Sequence, residues 1–188
     1  MAESPTGFAA RETSDVVPLA ALRADKARAV LLDLERAEGQ ALFGFAIRLG
    51  LSDAEAQDAV QESLLRLWTQ FMAGVIIENP RGWTFRTIYR VAMDEHRLRR
   101  RAIGLLDRIG RAASRSPTSG SIEPADIWGE VDHLSDRQRQ VVYLRYQADL
   151  AFEEIGSVLG ISASAARSHA TFALAALRKR VFRSEVPQ

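Results

Sequence analysis

The sequence predicts an all-α protein: two small helical units joined by a flexible linker. Three observations carry that expectation. No stretch alternates apolar and polar residues as a half-buried strand would, and no Asn-Gly or Asp-Gly turn joins two apolar runs. Apolar residues recur instead at helical steps of three and four. Helix-start signals stand where those periodic segments begin.

Taken in order, residues 1–24 contain Pro5, Gly7 and Pro18, show no period, and read as a loose tail. A first helix is expected from about Asp25 to Leu49, with Gly39 as a possible break; Leu42, Phe45, Ala46 and Leu49 form its inner face. Ser52 and Glu55 have capping-box spacing at the start of a second helix. Its apolar stripe is Ala56, Val60, Leu64, Leu67 and Phe71. Asn79-Pro80 opens a third helix running to about Arg101, with Asn as cap and Pro in the first turn, where a missing N–H costs nothing. The first unit is therefore 25–111.

Residues 112–130, "AASRSPTSGSIEPADIWGE", are dense in Ser, Pro and Gly and form the linker. The second unit, 131–188, begins with another capping box, Ser135 and Gln138. A short helix follows at about Phe152–Leu159, with Ala151 standing where a Ser or Thr cap is expected. Gly160 punctuates, Ser162 caps, and a last helix runs to about Phe182.

The composition is 47% hydrophobic, which supports a packed core over disorder. The chain has no cysteine, so disulfides, thiolate metal sites and cysteine nucleophiles are excluded, and a reducing compartment is expected. The N-terminus lacks the basic start and apolar run of a secretory signal, and no run approaches the length of a membrane span. His96, His133 and His169 have no metal-ligand spacing, and neither a phosphate-binding glycine loop nor a Ser/His/Asp set stands out. A non-enzymatic protein without cofactor or metal is expected.

Net charge is only +1 but is strongly patterned. Residues 1–85 carry −4, 86–115 carry +6, 116–166 carry −5 and 167–188 carry +4. Two basic blocks separated by acidic ones suit two contacts with a polyanion. Ordinary solvated surface charge is the bland alternative.

The C-terminal segment "FEEIGSVLGISASAARSHATFALAALRKRV" has helix-turn-helix spacing. Gly156 sits midway along the first helix, where the second must approach closely, and Gly160 can take the positive φ of the turn. Ala166, Ala170, Ala173 and Leu177 should face inward. The opposite face then carries Ser164, Arg167, Ser168, Thr171 and Arg178, short polar groups and arginines suited to a major groove. A plain antiparallel helical pair is the alternative.

The stretch "NPRGWTFRTIYRVAMDEHRLRRR" sorts onto two faces of one helix. Phe85, Ile88 and Ala92, flanked by Tyr89 and His96, form a core face. Trp83, Arg86, Arg90, Arg97 and Arg101 form the other, with Asp94 spaced to pair with both Arg90 and Arg97. Like charges four apart repel by about 0.2–0.5 kcal/mol. A phosphate backbone would turn that cost into attraction. Trp83 could stack on an unpaired base, worth about 1–3 kcal/mol. Exposing a base costs a few kcal/mol, so a larger partner must do the melting.

On these motifs the chain resembles the bacterial sigma factors of the short extracytoplasmic-function (ECF) group, within the sigma-70 family. "LSDAEAQDAVQESLLRLW" is similar to the family's core-polymerase-binding helix, "NPRGWTFRTIYRVAMDEHRLRRR" to its promoter-melting and minus-ten segment, and "LSDRQRQVVYLRYQADLAFEEIGSVLGIS" with its following helix to its minus-thirty-five reader. The resemblance covers roughly residues 36–101 and 131–181. It implies that Asp58, Gln61, Glu62 and Arg66 meet the β′ coiled coil of core RNA polymerase, whose β subunit is also a partner. It implies that Trp83, Arg86, Tyr89, Arg90, Arg97, Arg99, Arg100 and Arg101 meet melted and adjoining promoter DNA. It assigns the upstream element to Ser164, Arg167, Ser168, His169, Thr171 and Arg178. The acidic linker, with Glu123, Asp126 and Glu130, would thread the channel later taken by RNA. A cytoplasmic bacterial location and an anti-sigma protein are implied as well. The chain departs from the family where Tyr89-Arg90 replaces Arg-Asn, where His169 stands in place of Arg, and where "ATFALAA" replaces the usual arginines. The promoter sequence is therefore not carried over. Two rivals are a DNA-binding regulator with a helical sensor domain, and a helical protein–protein adaptor.

Overall fold

A computed structural model describes residues 19–108, 131 and 133–184. The expected linker, with Glu123, Asp126 and Glu130, lies outside the described residues, as do residues 1–18.

Helix α1 spans Leu19–Arg48. It begins six residues before the start its periodicity suggests and passes through Gly39 unbroken. The reason is visible at its first turns: Leu19 and Leu22 are exposed, so no apolar stripe marks them. Helix α2 spans Asp53–Met72. The Ser52 amide donates to Glu55 Oε2 at 2.9 Å, as a capping box requires. Ala56 and Leu67 of its stripe are fully buried. Helix α3 spans Pro80–Arg108, seven residues longer than expected. Asn79 Oδ1 caps it by accepting from the Gly82 amide at 2.8 Å. Phe85, Ile88 and Ala92 are wholly buried, as the helical angle requires.

Helix α4 spans Asp136–Val142, with Ser135 as cap. It opens into one turn of π-helix, Tyr143–Gln147, which the sequence did not announce. Helix α5 (Phe152–Leu159) and helix α6 (Ala163–Ser184) form the helix-turn-helix. Ala151 offers no side-chain acceptor, yet its amide donates to Glu154 Oε2 at 2.8 Å, so half of a capping box survives. Gly160 takes φ +68°, the left-handed turn its position demands. A Cβ on Gly156 would stand 2.6 Å from the Ile161 carbonyl oxygen, which explains the missing side chain there. Ala166, Ala170, Ala173 and Leu177 all point inward.

The two units do not stand apart. Leu42, Phe45, Ala46, Phe85 and Ile88 share one continuous core with Val141, Tyr143, Leu144, Leu150 and Ile155. Tyr143 is the pivot of this joint. Its ring stacks on Phe45 at 6.1 Å, and its hydroxyl donates to the Ala41 carbonyl at 3.0 Å. The approach is possible because residue 44 is glycine; a Cβ there would lie 2.2 Å from the Tyr143 oxygen. Burial pushes the phenol up to about 12, so it stays a donor at neutral pH. Around Tyr143, Arg81 pairs with Glu38 at 2.7 Å and donates to the Ala148 carbonyl. Asn79 donates to Glu154 at 2.6 Å, and Arg137 to the Leu159 carbonyl at 3.3 Å.

Candidate polymerase and nucleic-acid interfaces

Helices α2 and α3 bound an open groove of about 320 Å³. Glu62, Leu65, Arg66, Thr69 and Gln70 line it from α2; Trp83, Thr87 and Arg90 line it from α3. Two sets of residues that the sequence assigned to different partners thus meet on one rim. Glu62 and Arg66 are linked at 2.7 Å, which fixes their heads at the groove edge. Asp58 and Gln61 are exposed on the preceding turn of the same helix. Trp83 is half-buried and lines the groove. The Nε of Arg86 is buried without a hydrogen-bond partner among the described residues.

The basic face of α3 divides. Arg90, Arg97, Arg100 and Arg101 are exposed. Of the two arginines spaced to pair with Asp94, Arg97 does so, at 2.6 Å. Arg99, expected on DNA, is engaged within the fold: it pairs with Glu55 and, at 3.4 Å, with Glu95. The Arg99 guanidinium, joined by Ser52, holds the Glu55 carboxyl down to about 2. Tyr89 is likewise turned into the joint, where the Arg137 guanidinium lies 6.0 Å over its ring and donates to its hydroxyl at 3.3 Å. Helical angles already set Tyr89 beside the core face, but its Arg137 partner and the Arg99–Glu55 pair were not visible in them, because those partners lie 48 and 44 residues away.

The outer face of α6 is open. Ser164, Arg167, Ser168, Thr171 and Arg178 are exposed and His169 is half-buried. Ser162 Oγ caps the helix by accepting from the Ala165 amide at 3.1 Å. Arg167 rests against α5, 5.1 Å over the Phe152 ring and 3.9 Å from Glu153. Sequence reasoning missed Arg81 and Arg137, whose long side chains bridge the two units; it also missed Phe172, an exposed aromatic on the outer face of α6. Its signal was an apolar residue on the polar arc of the helix.

An all-α chain with an arginine-rich helix and a helix-turn-helix has the architecture of a transcription initiation factor. The family comparisons agree with that class. Residues 34–102 match the model "Sigma-70 region 2", and residues 131–179 match "Sigma-70, region 4". An ECF RNA polymerase sigma factor, SigL of Mycobacterium tuberculosis, is 29% identical over 142 residues, 73% of this chain and 80% of the relative. Two solved structures share the fold. The sigma factor RpoE of Bartonella quintana, in complex with the anti-sigma factor NepR, superposes with TM-score 0.62 at 24% identity, covering 82% of this chain and 95% of the other. CnrH, in complex with the cytosolic domain of CnrY, gives 0.56 at 22% identity, covering 89% and 96%. The chain belongs to the sigma-70 family, as an ECF sigma factor of transcription initiation. The rival reading as a free-standing regulator is not favoured by these matches. Sigma factors are in general non-enzymatic, and no helix among the described residues is long and apolar enough to cross a membrane.

Proposed function

We propose that residues 25–111 and 131–188 act as two grips on one promoter, held by core polymerase. Asp58, Gln61, Glu62 and Arg66 of α2 dock on the β′ coiled coil. Trp83, Arg86, Arg90, Arg97, Arg100 and Arg101 of α3 hold the melted minus-ten strand and its flanking duplex. Ser164, Arg167, Ser168, His169, Thr171 and Arg178 of α6 read the minus-thirty-five element. Tyr89 and Arg99 join the DNA surface only once the joint and the Glu55 pair release them. The chain performs no chemistry of its own, needs no cofactor or metal, and works in the bacterial cytoplasm. An anti-sigma protein masks it, a reading supported by the partners of the two solved relatives.

The observation that carries this reading is the groove where Glu62 and Arg66 face Trp83 and Arg90. It brings Glu62 and Arg66 beside Trp83 and Arg90, which supports a coupling of docking to strand capture. Trp83 is also placed to stack on a base that polymerase has already exposed. Trp83→Ala should therefore slow run-off transcription from a duplex promoter far more than from one with a pre-melted bubble. Equal loss on both templates contradicts the assignment.

A further inference from the structure

Phe172 is a large apolar side chain left in solvent on the face of α6 assigned to DNA. It is 65% exposed on α6, one turn beyond Ser168 and away from the buried Ala166, Ala170 and Ala173. The joint between the two units does not cover it either. Leaving a phenylalanine in water forgoes about 1.5–3 kcal/mol of burial.

Its neighbours on the outer face lean the same way. The Thr171 hydroxyl donates to the Arg167 carbonyl at 3.0 Å, so it has no hydrogen left to donate outward and its methyl lies beside Phe172 as apolar surface. Ala175, one turn further on the same arc, is exposed. Arg167 is drawn back over Phe152 and toward Glu153. The face assigned to the upstream element thus carries an apolar step at Phe172 and Ala175, with Ser164 and Ser168 before it and Arg178 after it.

On the floor of a major groove there is one apolar group, the 5-methyl of thymine. Guanine and cytosine offer only polar edges there, against which an aromatic ring would leave buried donors or acceptors unmade. We infer that Phe172, with the Thr171 methyl beside it, packs on a thymine 5-methyl in the upstream element and sets an A·T preference at that step. The inference rests on the reading of α6 as the upstream reader and specifies what its third turn recognises.

Deoxyuridine differs from thymidine at this edge by the methyl alone, so it isolates the contact. The upstream element would first be selected from a randomised duplex pool with core polymerase and this chain. Each thymine of the selected element would then be replaced singly by deoxyuridine, and holoenzyme affinity measured by competition. One replacement should weaken the wild-type chain several-fold. The same replacement should leave Phe172→Ala indifferent and keep part of its effect in Phe172→Leu, which retains an apolar surface. Phe172 is exposed, so neither variant threatens the fold. An enriched element whose deoxyuridine forms all bind the wild-type chain equally overturns the contact, as does an undiminished penalty in Phe172→Ala. A loss of core-polymerase affinity in Phe172→Ala without DNA overturns it too, and assigns the ring to a protein. A pool in which no upstream element is enriched overturns the reading of α6 itself.

Discussion

Glu55 serves two elements at once. One carboxylate oxygen accepts from the Ser52 amide at 2.9 Å and completes the α2 cap, while the other takes the Arg99 guanidinium from α3. The cap was legible in the sequence because its partners are three residues apart. The pair with Arg99 was not, because its partners are brought together only by the packing of α2 on α3. Arg99 first, then the Ser52 hydroxyl and amide, lower the folded carboxyl from 4.5 to about 2, so these contacts to the carboxylate stabilise the fold above pH 4.5. That stabilisation drains as pH falls toward 2. The pair is more than a third exposed, and solvent limits its worth to about 1 kcal/mol or less. Glu55→Gln should lower the thermal midpoint at pH 7 by about 2–4 °C. The gap between wild type and variant should narrow steadily between pH 4.5 and 2. A gap independent of pH would remove the Glu55 charge, and with it the ion pair, from the explanation.

Among the elements, the ones the sequence announced best were those with local causes. Asn79-Pro80, the two Ser-led capping boxes and the four-three-four spacing of Ala166 to Leu177 each fix a helix from within a few residues. Gly156 belongs with them: a side-chain-free position on a short helix, four residues before the left-handed Gly160. Alanine there would press its Cβ onto the Ile161 oxygen at 2.6 Å and the Ala163 amide at 3.2 Å, both backbone atoms with little room to yield. Gly156→Ala should cost about 1–3 kcal/mol by overpacking. It should also abolish discrimination of the upstream element while leaving polymerase binding through α2 in place. Unchanged thermal midpoint and promoter preference would mean the turn is looser than the structure has it. The π-turn at Tyr143–Gln147 had no local signal, since its wide turn serves to aim Tyr143 at a helix about a hundred residues earlier. The one available hint was Gly44, a side-chain-free position inside "ALFGFAI" that asked for a close neighbour without naming it.

At the scale of the molecule, the charge blocks and the linker composition foretold two units, and the structure shows them folded against each other. The arrangement cannot serve a promoter as it stands. Elements about 25 base pairs apart are separated by roughly 85 Å at 3.4 Å per step. Helix α3 with its 29 residues is only about 44 Å long. The shared core around Tyr143 holds the helix-turn-helix against that same helix, and Arg137 covers Tyr89 on it. A chain that grips both elements must part at this joint, with core polymerase supplying the competing contacts. The sequence has no cysteine, so a pair can be introduced cleanly at Asn79 and Glu154, which face each other across the joint at 2.6 Å. The decisive measurement is the yield of run-off transcript from core polymerase, a selected duplex promoter and the Asn79→Cys/Glu154→Cys chain, before and after bridging with a cleavable thiol reagent. The account predicts transcription from the unbridged chain, silence from the bridged one, and recovery when the bridge is cut. A bridged chain that initiates as well as the unbridged one, or an unsubstituted chain that directs polymerase to no start site, would contradict it.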